Sequence, residues 1–105
     1  MTTKQKLARW VLENKQIGVV FSFEHHGAVY WSSVAIQKWQ DVIKVYVDEI
    51  LESQMHAENY SREEIAEHDS IESALEFVST KTRAEPEMLF PCKGQKIFDP
   101  KLVLS

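Results

Sequence analysis

The sequence predicts an α+β domain in which a small antiparallel sheet, built from an N-terminal hairpin and a C-terminal edge strand, packs against three to four helices. Three observations lead there. Apolar residues alternate on both sides of Glu24-His25-His26-Gly27, as in a half-buried hairpin. A stripe at helical spacing then runs through Ile36, Trp39, Ile43, Val47, Ile50 and Leu51, with neither Gly nor Pro between Val34 and His56. Two helix-capping signatures follow close together, Ser61-Arg62-Glu63-Glu64 and Asp69-Ser70-Ile71-Glu72. At 105 residues the chain is expected to form one domain, 1–105, large enough to bury a core without disulfide staples.

Taken in order, Thr2 or Thr3 caps a first helix in which Leu7, Trp10, Val11 and Asn14 recur at helical spacing and only one stripe is apolar. That helix is expected to lie on the core. The first strand alternates Ile17, Val19, Phe21 and Phe23 with Gly18, Val20 and Ser22. Gly27 supplies the positive φ of the turn, and Ala28 to Ser33 returns as the second strand, with Val29 and Trp31 on one face. From Val34 two readings compete, because Val42-Ile43-Lys44-Val45-Tyr46-Val47 also suits a strand. Length favours a helix from about Val34 to His56. Ala57 to Tyr60 connects, and two acidic helices start at the capping signatures, the second with Ile71, Ala74, Leu75 and Val78 facing inward. Pro86 and Pro91 enforce an extended passage, Gln95-Lys96-Ile97-Phe98 forms a closing edge strand, and Pro100 leads into a tail.

Charge is distributed unevenly. Asp41 to Thr80 holds 11 acids and two bases, a balance of −9, whereas residues 1–40 carry +3 and residues 81–105 carry +2. Those three sum to the net −4 of the chain. Acid excess speaks against nucleic acid as a direct partner, since phosphates need basic patches, and it suits a basic protein. No apolar run approaches the roughly 20 residues that span a bilayer. Glu13 and Lys15 interrupt any signal-peptide core. With Cys92 as the single cysteine, the expected location is the cytoplasm.

Sites of chemistry are sparse. His25 and His26 are adjacent and point apart on a strand; His56 and His68 are twelve residues apart, so neither pair has zinc spacing. If a metal site existed it would use His68 with Glu64 or Asp69, and none is expected. Cys92 lacks a nucleophile signature. Gly18, Gly27 and Gly94 form no phosphate cradle, so no nucleotide or other cofactor is expected. The carboxylates lie in a solvated run rather than an apolar cleft that would separate their pKa values. An enzyme is not expected.

Two stretches carry a resemblance. They are Asp69-Ser70-Ile71-Glu72-Ser73-Ala74-Leu75-Glu76-Phe77-Val78 with Ser79-Thr80-Lys81-Thr82, and Leu89-Phe90-Pro91-Cys92-Lys93-Gly94-Gln95-Lys96-Ile97-Phe98. A capped helix, a connection and this Lys-Gly-Gln-Lys-Ile-Phe end resemble small immunity proteins of bacterial toxin–immunity systems, in particular those of contact-dependent growth inhibition. The likeness covers about the last third of the chain. It implies a cytoplasmic, non-catalytic toxin inhibitor, monomeric within a heterodimeric complex, that covers the basic active site of a cognate toxin, often a nuclease. A small acidic adaptor or regulatory inhibitor of a nucleic-acid enzyme is the alternative. In either reading the docking residues are Asp48, Glu52, Tyr60, Glu63, Glu64, Glu67, Asp69 and Glu72, because carboxylates complement a phosphate-binding surface and speed capture.

Overall fold

The computed structural model describes residues 3–104. Five strands, β1 (Ile17–His25), β2 (Ala28–Trp39), β3 (Val42–Leu51), β4 (Tyr60–His68) and β5 (Phe90–Pro91), form one antiparallel sheet in the order β4-β3-β2-β1-β5. Two α-helices, α1 (Thr3–Leu12) and α2 (Ile71–Lys81), pack on one face of it. The sheet therefore dominates, and the expected small sheet under three to four helices is not the architecture.

The helix expected from Val34 to His56 does not form: its residues are the end of β2, all of β3 and a 3-10 turn, Glu52–Ala57. The cause is burial. β2 and β3 are central strands covered on both faces over much of their length, so Val34 to Gln37 and Val45 to Asp48 are consecutively buried. Such a run loses the period of two, and a helical stripe can be drawn through it. The β-branched Val42, Ile43, Val45 and Val47 follow the strand preference instead. Between the strands the chain turns at Gln40-Asp41, with Gln40 at φ 56°, so no glycine announces the break.

Ser61 to Glu64 is likewise part of β4 and caps no helix. Charged side chains on an edge strand discourage pairing with other chains, and here they imitate a capping box. The second signature does start a helix, one position later than its spacing suggests: Ser70 caps α2, its Oγ accepting from Ser73 N at 3.1 Å. Ala74, Leu75 and Val78 face inward as expected. The hairpin also forms, through His26 (φ 51°) and Gly27 (φ 75°). The Thr2 or Thr3 cap falls on side chains outside the described set.

The expected closing strand Gln95–Phe98 is irregular, and the edge strand is β5, paired with Ile17 and Gly18 of β1. Pro91 stands opposite Ile17, while Cys92 N donates to Gln16 O at 2.8 Å. Gln16 and Cys92 are thus a hydrogen-bonded pair, and so are Gly18 and Phe90. The proline takes the intervening place, where a backbone N–H would point away from the partner.

Two cores result. On the helix side Leu7 and Val11 of α1, Ala74, Leu75 and Val78 of α2, and Ala84 and Leu89 meet Ile17, Val34, Ile36, Ile43, Val45 and Val47. On the opposite side Ile97 and Phe98 lie over Ala35, Tyr46 and Ile65. Gly18 lets this segment approach: a Cβ there would stand 2.5 Å from Ile97 Cδ1 and 2.9 Å from Val34 O. Gln16 ties the layers together. Its buried amide donates to Gln37 Oε1 and Phe98 O, both at 2.9 Å, and its Oε1 accepts from Ile97 N at 2.6 Å and Phe98 N at 3.3 Å. No described helix is long and apolar enough to cross a membrane.

Gln16→Ala strands several buried donors and acceptors at once, so it is expected to lower unfolding stability by about 3 kcal/mol. Urea denaturation checks this, and hydrogen exchange is expected to rise first at Ile97 and Phe98.

Candidate partner-binding face

Strand register arranges the side chains opposite the helices in rows across the sheet. One row is Gly18, Ala35, Tyr46 and Ile65, and the C-terminal segment covers it. The next is Val20, Ser33, Asp48 and Glu63, followed by Ser22, Trp31, Ile50 and Tyr60. A fourth begins with Glu24 and Val29. Along these last three rows Val20, Ser22, Glu24, Val29 and Tyr60 are exposed, whereas Asp48 and Ile50 are buried. Val20 is 55% exposed, Tyr60 39% and Val29 37%, so these rows show some apolar surface.

Carboxylates stand among them. Asp48 is only 7% exposed; its Oδ1 accepts from Ser33 N at 2.8 Å. Tyr46 extends its hydroxyl out of the covered row to lie 3.0 Å from Asp48 Oδ2 and 2.7 Å from Glu63 Oε2. One phenolic proton cannot serve two carboxylates. If Tyr46 donates to Glu63, its oxygen is free to accept from a protonated Asp48, which closes the chain of hydrogen bonds. Burial, opposed by the bonds from Ser33 and Tyr46, raises the Asp48 carboxyl above its ordinary value. Burial and then the Glu63 hydrogen bond push the Tyr46 phenol far upward. Tyr60 is raised too, by burial first and then by the Asp48, Glu63 and Glu58 charges.

Other acids on the sheet are neutralised. Glu49 lies 3.7 Å from Arg62 and 3.5 Å from Arg83, and Glu64 pairs with Arg62, all on the helix side. Glu67 faces Lys44 at 3.9 Å at the end of the sheet covered by the C-terminal segment. Among the described residues no base pairs with Asp48 or Glu63. These rows therefore combine the Asp48–Tyr46–Glu63 cluster, without a paired base, with aromatic side chains.

Of the expected docking residues, the structure brings together Asp48, Glu63 and Tyr60. Glu64 is on the opposite face, Glu67 at the far end, Glu52 at the 3-10 turn, and Asp69 and Glu72 beside the start of α2. The acidic stretch is thus no single helical surface; alternation along β4 divides it between two faces. Trp31, Ser33, Tyr46, Val20 and Val29 complete the face. Trp31 and Val29 were legible as one face of a strand, but Tyr46 and Asp48 fell in the segment read as a helix.

Chemistry elsewhere is thin. Among the described residues no three His, Cys, Asp or Glu side chains gather as a metal site requires. His68 Nδ1 lies 2.7 Å from Ser73 Oγ, and its ring packs 5.2 Å from that of Phe77. Burial raises the Cys92 thiol, which disfavours the thiolate. Comparison with protein-family models, with curated proteins and with solved structures returned no match to this chain.

The pH dependence of Asp48 has a definite sign. A raised carboxyl means that the folded chain holds this proton more tightly than the unfolded one. The group's contribution is complete below the ordinary value of 3.8 and is lost as pH rises through the raised value. Asp48→Asn keeps the shape, accepts from Ser33 and donates to Tyr46 without titrating. The variant is expected to melt above the parent at pH 7, with the difference vanishing below the ordinary carboxyl value, as scanning calorimetry across pH will read.

Proposed function

We propose that this chain is an immunity protein: a stoichiometric, non-catalytic inhibitor that docks its open sheet face on a basic toxin domain, a nuclease being the best match. The observation that carries this is the Asp48–Tyr46–Glu63 cluster, which no base pairs among the described residues, set among Trp31, Tyr60, Val20 and Val29. A surface that binds phosphates presents Arg and Lys, and a blocking partner gains by offering carboxylates where the phosphates would sit. Aromatic anchors at the centre of a patch supply most of the binding energy, and rim charges mainly steer the encounter. The resemblance of the last third of the chain points to the same role, in the bacterial cytoplasm and with one toxin bound per copy of the chain. No step of bond chemistry is assigned to the chain.

This reading takes a narrower docking set. Asp48, Glu63 and Tyr60 remain, joined by Trp31, while Glu52, Glu64, Glu67, Asp69 and Glu72 supply at most long-range attraction. Co-purification from the native host identifies the partner, which is expected to be a basic protein encoded beside this one; capture of an acidic partner overturns the reading. Against that partner, Trp31→Ala and Glu63→Lys are each expected to weaken binding by at least about thirty-fold, and Glu72→Lys by no more than about two-fold. Titration calorimetry measures both. The association rate is expected to fall with added salt, since steering is screened within about 8 Å at physiological ionic strength.

A further inference from the structure

The two long edges of the sheet are not alike. β4 carries Arg62, Glu63, Glu64 and Glu67, charges that discourage a foreign strand. β1 reads Ile-Gly-Val-Val-Phe-Ser-Phe-Glu-His and has one acid and no proline. β5 pairs with it only at Ile17 and Gly18. Backbone direction alternates along a strand, and Gln16 O and Gly18 face β5, so the N–H and C=O groups of Val20, Ser22 and Glu24 also face outward. Among the described residues no strand meets them. The open edge is the seven residues Val19 to His25, and its midpoint is Ser22.

We infer that this edge pairs with its own copy, β1 antiparallel to β1 about a two-fold axis at Ser22, giving a homodimer with one continuous sheet. This register uses the whole open edge and stops where β5 begins. Each outward group then meets an outward group: Ser22 opposite Ser22 of the second copy, Val20 opposite its Glu24. The side chains are self-complementary. Lys96 lines the same shallow cleft as Val20, on the face opposite the helices. The register therefore brings Glu24 of one copy toward Lys96 of the other, twice by symmetry. On the helix side Phe23 lies opposite the second copy's Phe21, and Arg83, 4.2 Å from the centre of the Phe23 ring, lies over the junction. Two-fold strand pairing keeps corresponding faces on one side, so the dimer offers two open faces in the same direction. The inference goes beyond the proposed function: Glu63 and Tyr60 lie on β4, at the other edge.

Sedimentation equilibrium of the full chain alone, from about 10 µM to 1 mM, covers the affinities expected of a small interface. The expected result is a concentration-dependent mass approaching twice that of the monomer. Ser22→Pro removes an outward N–H without touching β2 pairing, so it is expected to be monomeric with a native circular dichroism spectrum. Glu24→Lys and Lys96→Glu are each expected to weaken the dimer roughly ten-fold, and the double charge swap to restore it. A parent that stays monomeric throughout, a Ser22→Pro variant that still dimerises, or a swap that rescues nothing overturns the inference. Toxin binding that survives in Ser22→Pro leaves the proposed function standing whichever way this comes out.

Discussion

Gln16 is the constraint on which the rest of the structure depends. It sits between α1 and β1 and is almost fully buried. Its main-chain oxygen accepts from Trp10 Nε1 at 2.9 Å and from Cys92 N at 2.8 Å, which joins α1 and the end of β5 to the start of the sheet. Its side chain reaches Gln37 of β2 and the backbone of Ile97 and Phe98. Gln37 passes the connection on, donating to Asn14 O at 3.2 Å. A buried amide satisfied in this way holds an irregular C-terminal segment against the sheet without any ladder of its own.

That attachment decides what remains exposed. Once Ile97 and Phe98 cover Ala35 and Tyr46, and Lys44 Nζ donates to Pro100 O at 2.9 Å, one half of the sheet face is sealed. In the other half Val20, Ser22, Glu24, Val29 and Tyr60 stay exposed, while Asp48 and Ile50 are buried. Among the described residues no base pairs with its Asp48 and Glu63, whereas Glu49 and Glu64 of the helix side have Arg62 and Arg83. Placing Asp48 under its neighbours disfavours its charged form. The edges show a similar division, with β4 guarded by charge and β1 left to backbone and apolar groups.

Local signals served well where one residue governs geometry. Gly27 and the alternation around it identified the hairpin, the amphipathic stripe through Leu75 and Val78 identified α2, and Leu7 with Val11 identified α1. They misled where coverage from elsewhere in the chain sets the pattern. Val34 to Leu51 reads as a helix only because both of its faces are covered, and Ser61 to Glu64 imitates a cap because an edge strand carries charge. Gln40 turns the chain at positive φ without the glycine that would have marked it.

The sequence by itself determined that Asp41 to Thr80 is strongly acidic, that a hairpin precedes it and a capped helix ends it, and that aromatic residues are plentiful. Only the tertiary structure decided which acids act together. Alternation along β3 and β4 sends Asp48 and Glu63 to one face and Glu49 and Glu64 to the other. Pairing of those strands then sets Asp48 opposite Glu63, with Tyr46 between them. Charge is additive along a chain, but a site is made by direction, and direction comes from register.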